Sequence, residues 1–148
     1  MKISDILSEK AVVLLGEVTN KRQLLQELAQ KASEISTIPE RTIFDAISER
    51  ENLGSTGFGF GTALPHARSS ETDKVFGLFA KLEKPIDFEA IDNKPVDLLF
   101  FLLSPENSGA DHLSALASCS AILKDEQARS RIHNAQTAKE IYDILLAF

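Results

Sequence analysis

Val96-Asp97-Leu98-Leu99-Phe100-Phe101-Leu102-Leu103 is apolar almost without interruption. A strand with one wet face alternates apolar and polar residues, whereas a strand covered on both faces reads as a continuous run. Val75-Phe76-Gly77-Leu78-Phe79-Ala80 has the same character. Two such strands make a central sheet, and helices are the natural cover on each side.

The segments outward from this centre supply the cover. Residues 11–15 (Ala-Val-Val-Leu-Leu) read as a further short strand, stopped at Gly16. Asn20 followed three residues later by Gln23 is a capping-box signature. Leu24, Leu25, Leu28, Ala32 and Ile35 then recur on one helical face. Thr37-Ile38-Pro39-Glu40 starts a second helix, which buries Ile43, Phe44 and Ile47 and ends near Glu51. Leu113, Leu116 and Ala117 mark a third helix. Asp125 caps a fourth with Ala128 and Ile132 inward, and Ala138, Ile141, Tyr142 and Leu145 mark the last. The order predicts a single-domain α/β sandwich over residues 1–148, with a mixed central β-sheet flanked by helices on both sides.

Composition agrees and excludes several functions. The 148 residues suffice for one hydrophobic core, and 43% hydrophobic with 26% charged residues is a globular balance. Twenty-two acidic against 16 basic side chains give a net charge of −6, which argues against binding the nucleic-acid backbone. The longest strongly apolar run, Leu98 to Leu103, is far below the ~20 residues of a membrane-spanning helix. Met1-Lys2-Ile3-Ser4-Asp5 meets charge at once and has no apolar signal region. The single cysteine, Cys119, allows neither an internal disulfide nor a cysteine-rich zinc site. The reading is a soluble, cytoplasmic protein.

The chemistry concentrates in Gly54-Ser55-Thr56-Gly57-Phe58-Gly59-Phe60-Gly61-Thr62-Ala63-Leu64-Pro65-His66, which holds four of the chain's seven glycines. A dinucleotide fingerprint fails because Thr62 stands where a third glycine is needed. A Walker loop fails for want of a lysine, and no nucleophile elbow is present. What remains is His66, at the end of a short strand Thr62-Ala63-Leu64 and held by the restricted backbone of Pro65. A neutral imidazole nitrogen serves as nucleophile, base or metal ligand; a bland loop histidine only bonds its neighbours.

Two residues favour chemistry. Arg50, three residues past Ile47 and four past Ala46, shares their inward face, where a guanidinium seeks an anion. His112 opens the third helix, whose N-terminus favours negative charge. His66, His112 and Asp111 together lack any metal-ligand spacing, and His133 has no comparable setting. Phe58 and Phe60 fit either an apolar rim around His66 or core packing.

Arg50-Glu51-Asn52-Leu53-Gly54-Ser55-Thr56-Gly57, with Gly59, Gly61 and Ala63-Leu64-Pro65-His66-Ala67-Arg68, resembles the phosphorylation-site block of enzyme IIA domains of the bacterial phosphotransferase system, mannitol/fructose type. Ala90-Ile91-Asp92-Asn93-Lys94-Pro95-Val96-Asp97-Leu98-Leu99-Phe100 resembles the next block, and His112-Leu113 aligns with a histidine near that active site. From Ile91 to Pro105 the likeness is greatest to the nitrogen-regulatory members. The resemblance implies that His66 accepts a phosphoryl group from an HPr-like phosphohistidine carrier. Arg50 and His112 would contact that group, and Ser55, Thr56 and Gly57 would support it, with no cofactor or metal. It further implies a carrier that regulates target proteins by its phosphorylation state. The alternative is a sugar-specific component that passes phosphate to an enzyme IIB. Phe60 departs from the pattern, since such members often carry a small polar residue between the last two glycines.

Overall fold

The computed structural model describes all residues, 1–148. Six strands form one sheet: β1 (Val12–Leu15), β2 (Gly57–Gly59), β3 (Thr62–Ala63), β4 (His66–Ser69), β5 (Phe76–Ile86) and β6 (Val96–Pro105). Six helices accompany it: α1 (Ile3–Ile6), α2 (Lys21–Ser36), α3 (Glu40–Asn52), α4 (Ala110–Lys124), α5 (Glu126–Asn134) and α6 (Ala138–Ala147). The strand order is β1-β5-β6-β3-β2, with β4 also beside β6. β5 and β6 run antiparallel, as do β2 and β3, while β1 pairs with β5, and β3 and β4 with β6, in parallel. The sheet is therefore mixed, and the two apolar runs are its central pair. Leu98 through Leu103 are fully buried, and Phe79 meets Phe100 edge-on at 5.0 Å between ring centres.

The helices form two groups. α2 and α3 pack on each other, α2 on β5 and α3 on β4. α4, α5 and α6 pack in succession, α4 on β6 and α6 on β1. No helix is long and apolar enough to cross a membrane.

Several elements differ from the sequence reading. β5 does not stop at Ala80 but runs on to Ile86. In that extension Lys81 Nζ donates to the carbonyls of Ile132 (3.1 Å), His133 (2.9 Å) and Ala135 (2.9 Å), closing the end of α5. The capping box of α2 is half realised. Asn20 Oδ1 accepts from Gln23 N at 2.8 Å, but Gln23 Oε1 accepts from Thr19 N, one residue further back. α4 is rotated from the expected face. His112, Ala115, Cys119, Ile122 and Leu123 are buried, Leu113 and Ala117 are exposed and Leu116 is half-buried. Small and polar residues occupy that seam, so apolarity alone set the phase wrongly. His66 begins a strand rather than following one. Pro65 has no N–H, so β3 breaks there, while its carbonyl accepts from Leu102 N at 3.0 Å and keeps β4 in line along β6.

Candidate active site

β4 pairs with β6 on one edge and has no strand on the other. Over that open edge α3 and α4, one from each helical group, bound a cleft of about 680 Å³. Ala46, Glu49, Arg50, Asn52 and Leu53 line it from the first side, His66, Ala67 and Arg68 from the strand, and His112 from the other. Arg50 and His112, 62 positions apart in sequence (112 − 50), thus flank His66. The rings of His66 and His112 lie 5.7 Å apart, tilted by 51°.

His66 is half-buried, and its Nδ1 lies 2.8 Å from the Leu64 carbonyl oxygen. A carbonyl can only accept, so Nδ1 carries the proton and donates it. In the neutral ring Nε2 then holds a free lone pair. Burial lowers the His66 pKa, and the Arg50 charge adds to this; the Leu64 hydrogen bond and, more weakly, Glu51 oppose it. This downward shift favours the neutral ring at pH 7. Leu64 is itself fixed, because its N–H donates to the Thr56 carbonyl at 3.1 Å.

His112 is buried, and its Nδ1 sits 2.6 Å from Ser104 Oγ. Its pKa falls to about 4, from burial first and then from the charges of Arg68 and His66. It is neutral under ordinary conditions. Arg50 Nη1 donates to the Gly54 carbonyl at 2.9 Å across the open end of α3. Arg68 is exposed, with Nη1 donating to the Glu106 carbonyl at 3.2 Å. A neutral ring nitrogen that shares its cleft with two guanidinium groups and a second imidazole suits transfer of an anionic electrophile, and above all a phosphoryl group.

The other expected residues lie elsewhere. Ser55 Oγ donates to the Phe88 carbonyl at 3.0 Å and accepts from Gly57 N at 3.1 Å. Thr56 bonds buried Glu51 through both its N–H, at 3.2 Å, and its hydroxyl, and Lys21 pairs with Glu51 at 2.9 Å. These bonds hold the loop between α3 and β2. Gly57 packs against Ala90, where a side chain would come within 2.9 Å. None of the three lines the cleft. Phe58 and Phe60 do not rim it either. Thr62 pairs with Leu98 but His66 with Leu102, four strand residues or about 13 Å along β6. Phe60, beyond Thr62, is exposed under the Arg129 guanidinium, and Phe58 lies near Lys124. His133 bonds Asp97 at 3.0 Å, away from the cleft.

Arg68 and Ser104 were missed from sequence. Arg68 was legible, because strand alternation puts residues i and i+2 on one face and so sets it beside His66. Ser104 gave no signal, since it enters only through the register Arg68↔Ser104.

Residues 5–147 match the family model described as "Phosphoenolpyruvate-dependent sugar phosphotransferase system, EIIA 2". The chain belongs to this enzyme IIA family. It is 44% identical over 145 residues to the nitrogen regulatory protein of Bradyrhizobium diazoefficiens, covering 98% of this chain and 95% of that one. It is 36% identical over 146 residues to the nitrogen regulatory protein of Escherichia coli K12, covering 98% and 90%. The crystal structure of the nitrogen regulatory protein IIA-Ntr from Neisseria meningitidis superposes with a TM-score of 0.90 at 33% identity, over 97% of this chain and 98% of that one. As an enzyme IIA, the protein is a component of a phosphoryl-transfer system, with the mixed sheet and flanking helices of its relatives.

Proposed function

We propose that this enzyme IIA is a phosphoryl carrier of the nitrogen-regulatory kind. It takes the group on His66 from an HPr-like phosphohistidine and acts on target proteins according to its phosphorylation state. The observation that carries the reading is the Nδ1–H to Leu64 carbonyl bond, which leaves His66 Nε2 as the free nucleophile facing the cleft. The P–N bond of the donor breaks as the bond to Nε2 forms, and the donor ring keeps the electron pair. Attack builds positive charge on the His66 ring, and the Leu64 carbonyl stabilises it through Nδ1–H, the same influence that raises the pKa of this histidine against burial. The transition state is loose, with charge on three equatorial oxygens, so positioned cations and donors supply the catalysis. Arg50, whose charge acts on His66 and whose guanidinium has further N–H groups beyond the one held by the Gly54 carbonyl, is the first candidate, and His112 faces the same space. Ser55, Thr56 and Gly57 support the site indirectly, by holding the loop that fixes Leu64.

Incubation with phosphoenolpyruvate, enzyme I and an HPr-like carrier, followed by intact mass, tests this. One acid-labile phosphoryl group on the wild type, absent from His66→Ala, is expected; no gain, or an equal gain in the variant, contradicts it. The family's own description names a sugar phosphotransferase system, which keeps the alternative acceptor in view. Phosphorylated protein offered to several enzyme IIB domains separates the two: rapid, complete discharge to one of them makes the protein a transport component.

A further inference from the structure

Ser104, the ninth residue of β6, is fully buried, and its hydroxyl has one hydrogen-bond partner in the protein, His112 Nδ1 at 2.6 Å. Each way of making that bond fixes a different tautomer of His112. If the histidine donates from Nδ1, the serine proton points into the protein with no acceptor, and Nε2 is left bare. If the serine donates, its only proton is used, Nδ1 accepts, and the ring proton lies on Nε2. An unpaired buried donor is the costlier arrangement, since an unused lone pair on a hydroxyl is tolerated far better. His112 is neutral at pH 7, so it carries one ring proton to place. The edge opposite Nδ1 belongs to a ring that lines the cleft beside His66.

We infer that Ser104 is a positioning residue that donates its hydroxyl proton to His112 Nδ1, holding His112 as the Nε2–H tautomer with a neutral donor aimed at the phosphoryl oxygens on His66. This rests on the reading of His66 as acceptor. The two histidines are then set as opposites: Leu64 keeps the proton of His66 on Nδ1, and Ser104 keeps that of His112 on Nε2. A neutral donor in the cleft that Arg50 and Arg68 also line adds a hydrogen bond to the migrating group without adding a third positive charge.

Two-bond ¹H–¹⁵N correlation of the histidine rings in the unphosphorylated protein at pH 7.5 reads the tautomer directly. His112 is expected with a bare Nδ1 and a protonated Nε2, and His66 with the reverse. Ser104→Ala is expected to mix the His112 tautomers and to slow transfer to His66 about tenfold or more at saturating carrier, with carrier affinity unchanged. Ser104→Thr, which keeps the hydroxyl, is expected to restore both signals. A protonated Nδ1 on wild-type His112 overturns the proposal even if no Ser104 variant folds, and so does an alanine variant with unaltered tautomer and rate. A correct His112 tautomer in a protein that takes no phosphate would instead remove the His66 reading, and with it the purpose of the contact.

Discussion

Arg50 combines a modest structural contact with a central place in the proposed chemistry. Its bond to the Gly54 carbonyl is solvent-exposed, so losing it costs the fold no more than about 1 kcal/mol. Its charge lies within influence of His66, so losing it deprives the transition state of a cation. Arg50→Ala is therefore expected to slow phosphoryl transfer by about 10²–10³-fold, as removal of a single preorganised donor does elsewhere. Its urea midpoint should stay close to wild type. Normal transfer in this variant would take Arg50 out of the mechanism. His66 and Arg50 were legible in sequence because each sits at a marked point, after a proline or at a helix end. Ser104 was not, because a serine inside an apolar run says nothing about which helix will cross above it.

The glycine-rich segment from the end of α3 through β2 to β3 is shaped by packing as much as by any ligand. A side chain at Gly57 would stand 2.9 Å from Ala90 Cβ and 3.0 Å from its Cα, and backbone cannot yield as a flexible tip can. Gly57→Ala is expected to destabilise the protein by about 1–3 kcal/mol, the usual cost of overpacking. Denaturant midpoints would show it; an unchanged midpoint would mean that β2 moves freely against Ala90. At the tip, Gly59, Phe60 and Gly61 all have positive φ, and phenylalanine at φ 61 is an unusual occupant of a left-handed position. The contact with Arg129 partly offsets that cost. Glycine density therefore drew attention to the right neighbourhood for a reason that is only partly chemical. The central strands were legible because burial on both faces leaves a continuous apolar signature. The edge pieces β2 and β4 were not, being only three and four residues long and defined by pairing alone.

The helices from both sides of the sheet meet at one open strand edge, and the charge state of that meeting point governs the molecule's response to pH. Burial and neighbouring charges lower His112 from 6.5 to about 4 and lower His66 as well. Well above pH 6.5 both rings are neutral whether the chain is folded or not, and their contribution to stability is fully present. As the pH falls from there towards 4, the unfolded chain takes up protons that the folded protein refuses, so stability decreases. Urea midpoints measured at pH 7.5, 6.0 and 5.0 should fall in that order. The fall should be shallower in His112→Gln, which cannot titrate; equal slopes would mean that His112 keeps an ordinary pKa. Transfer to His66 should hold to lower pH than free histidine would allow, because its nucleophilic nitrogen stays unprotonated.

In the proposed mechanism Leu64 holds the proton of His66 on Nδ1 and leaves Nε2 to take the phosphoryl group. The most direct test is phosphorus–proton correlation NMR on the protein freshly phosphorylated by an HPr-like carrier. One phosphoryl group is expected, bonded to Nε2 of His66. Attachment at Nδ1, or on any other residue, would contradict it.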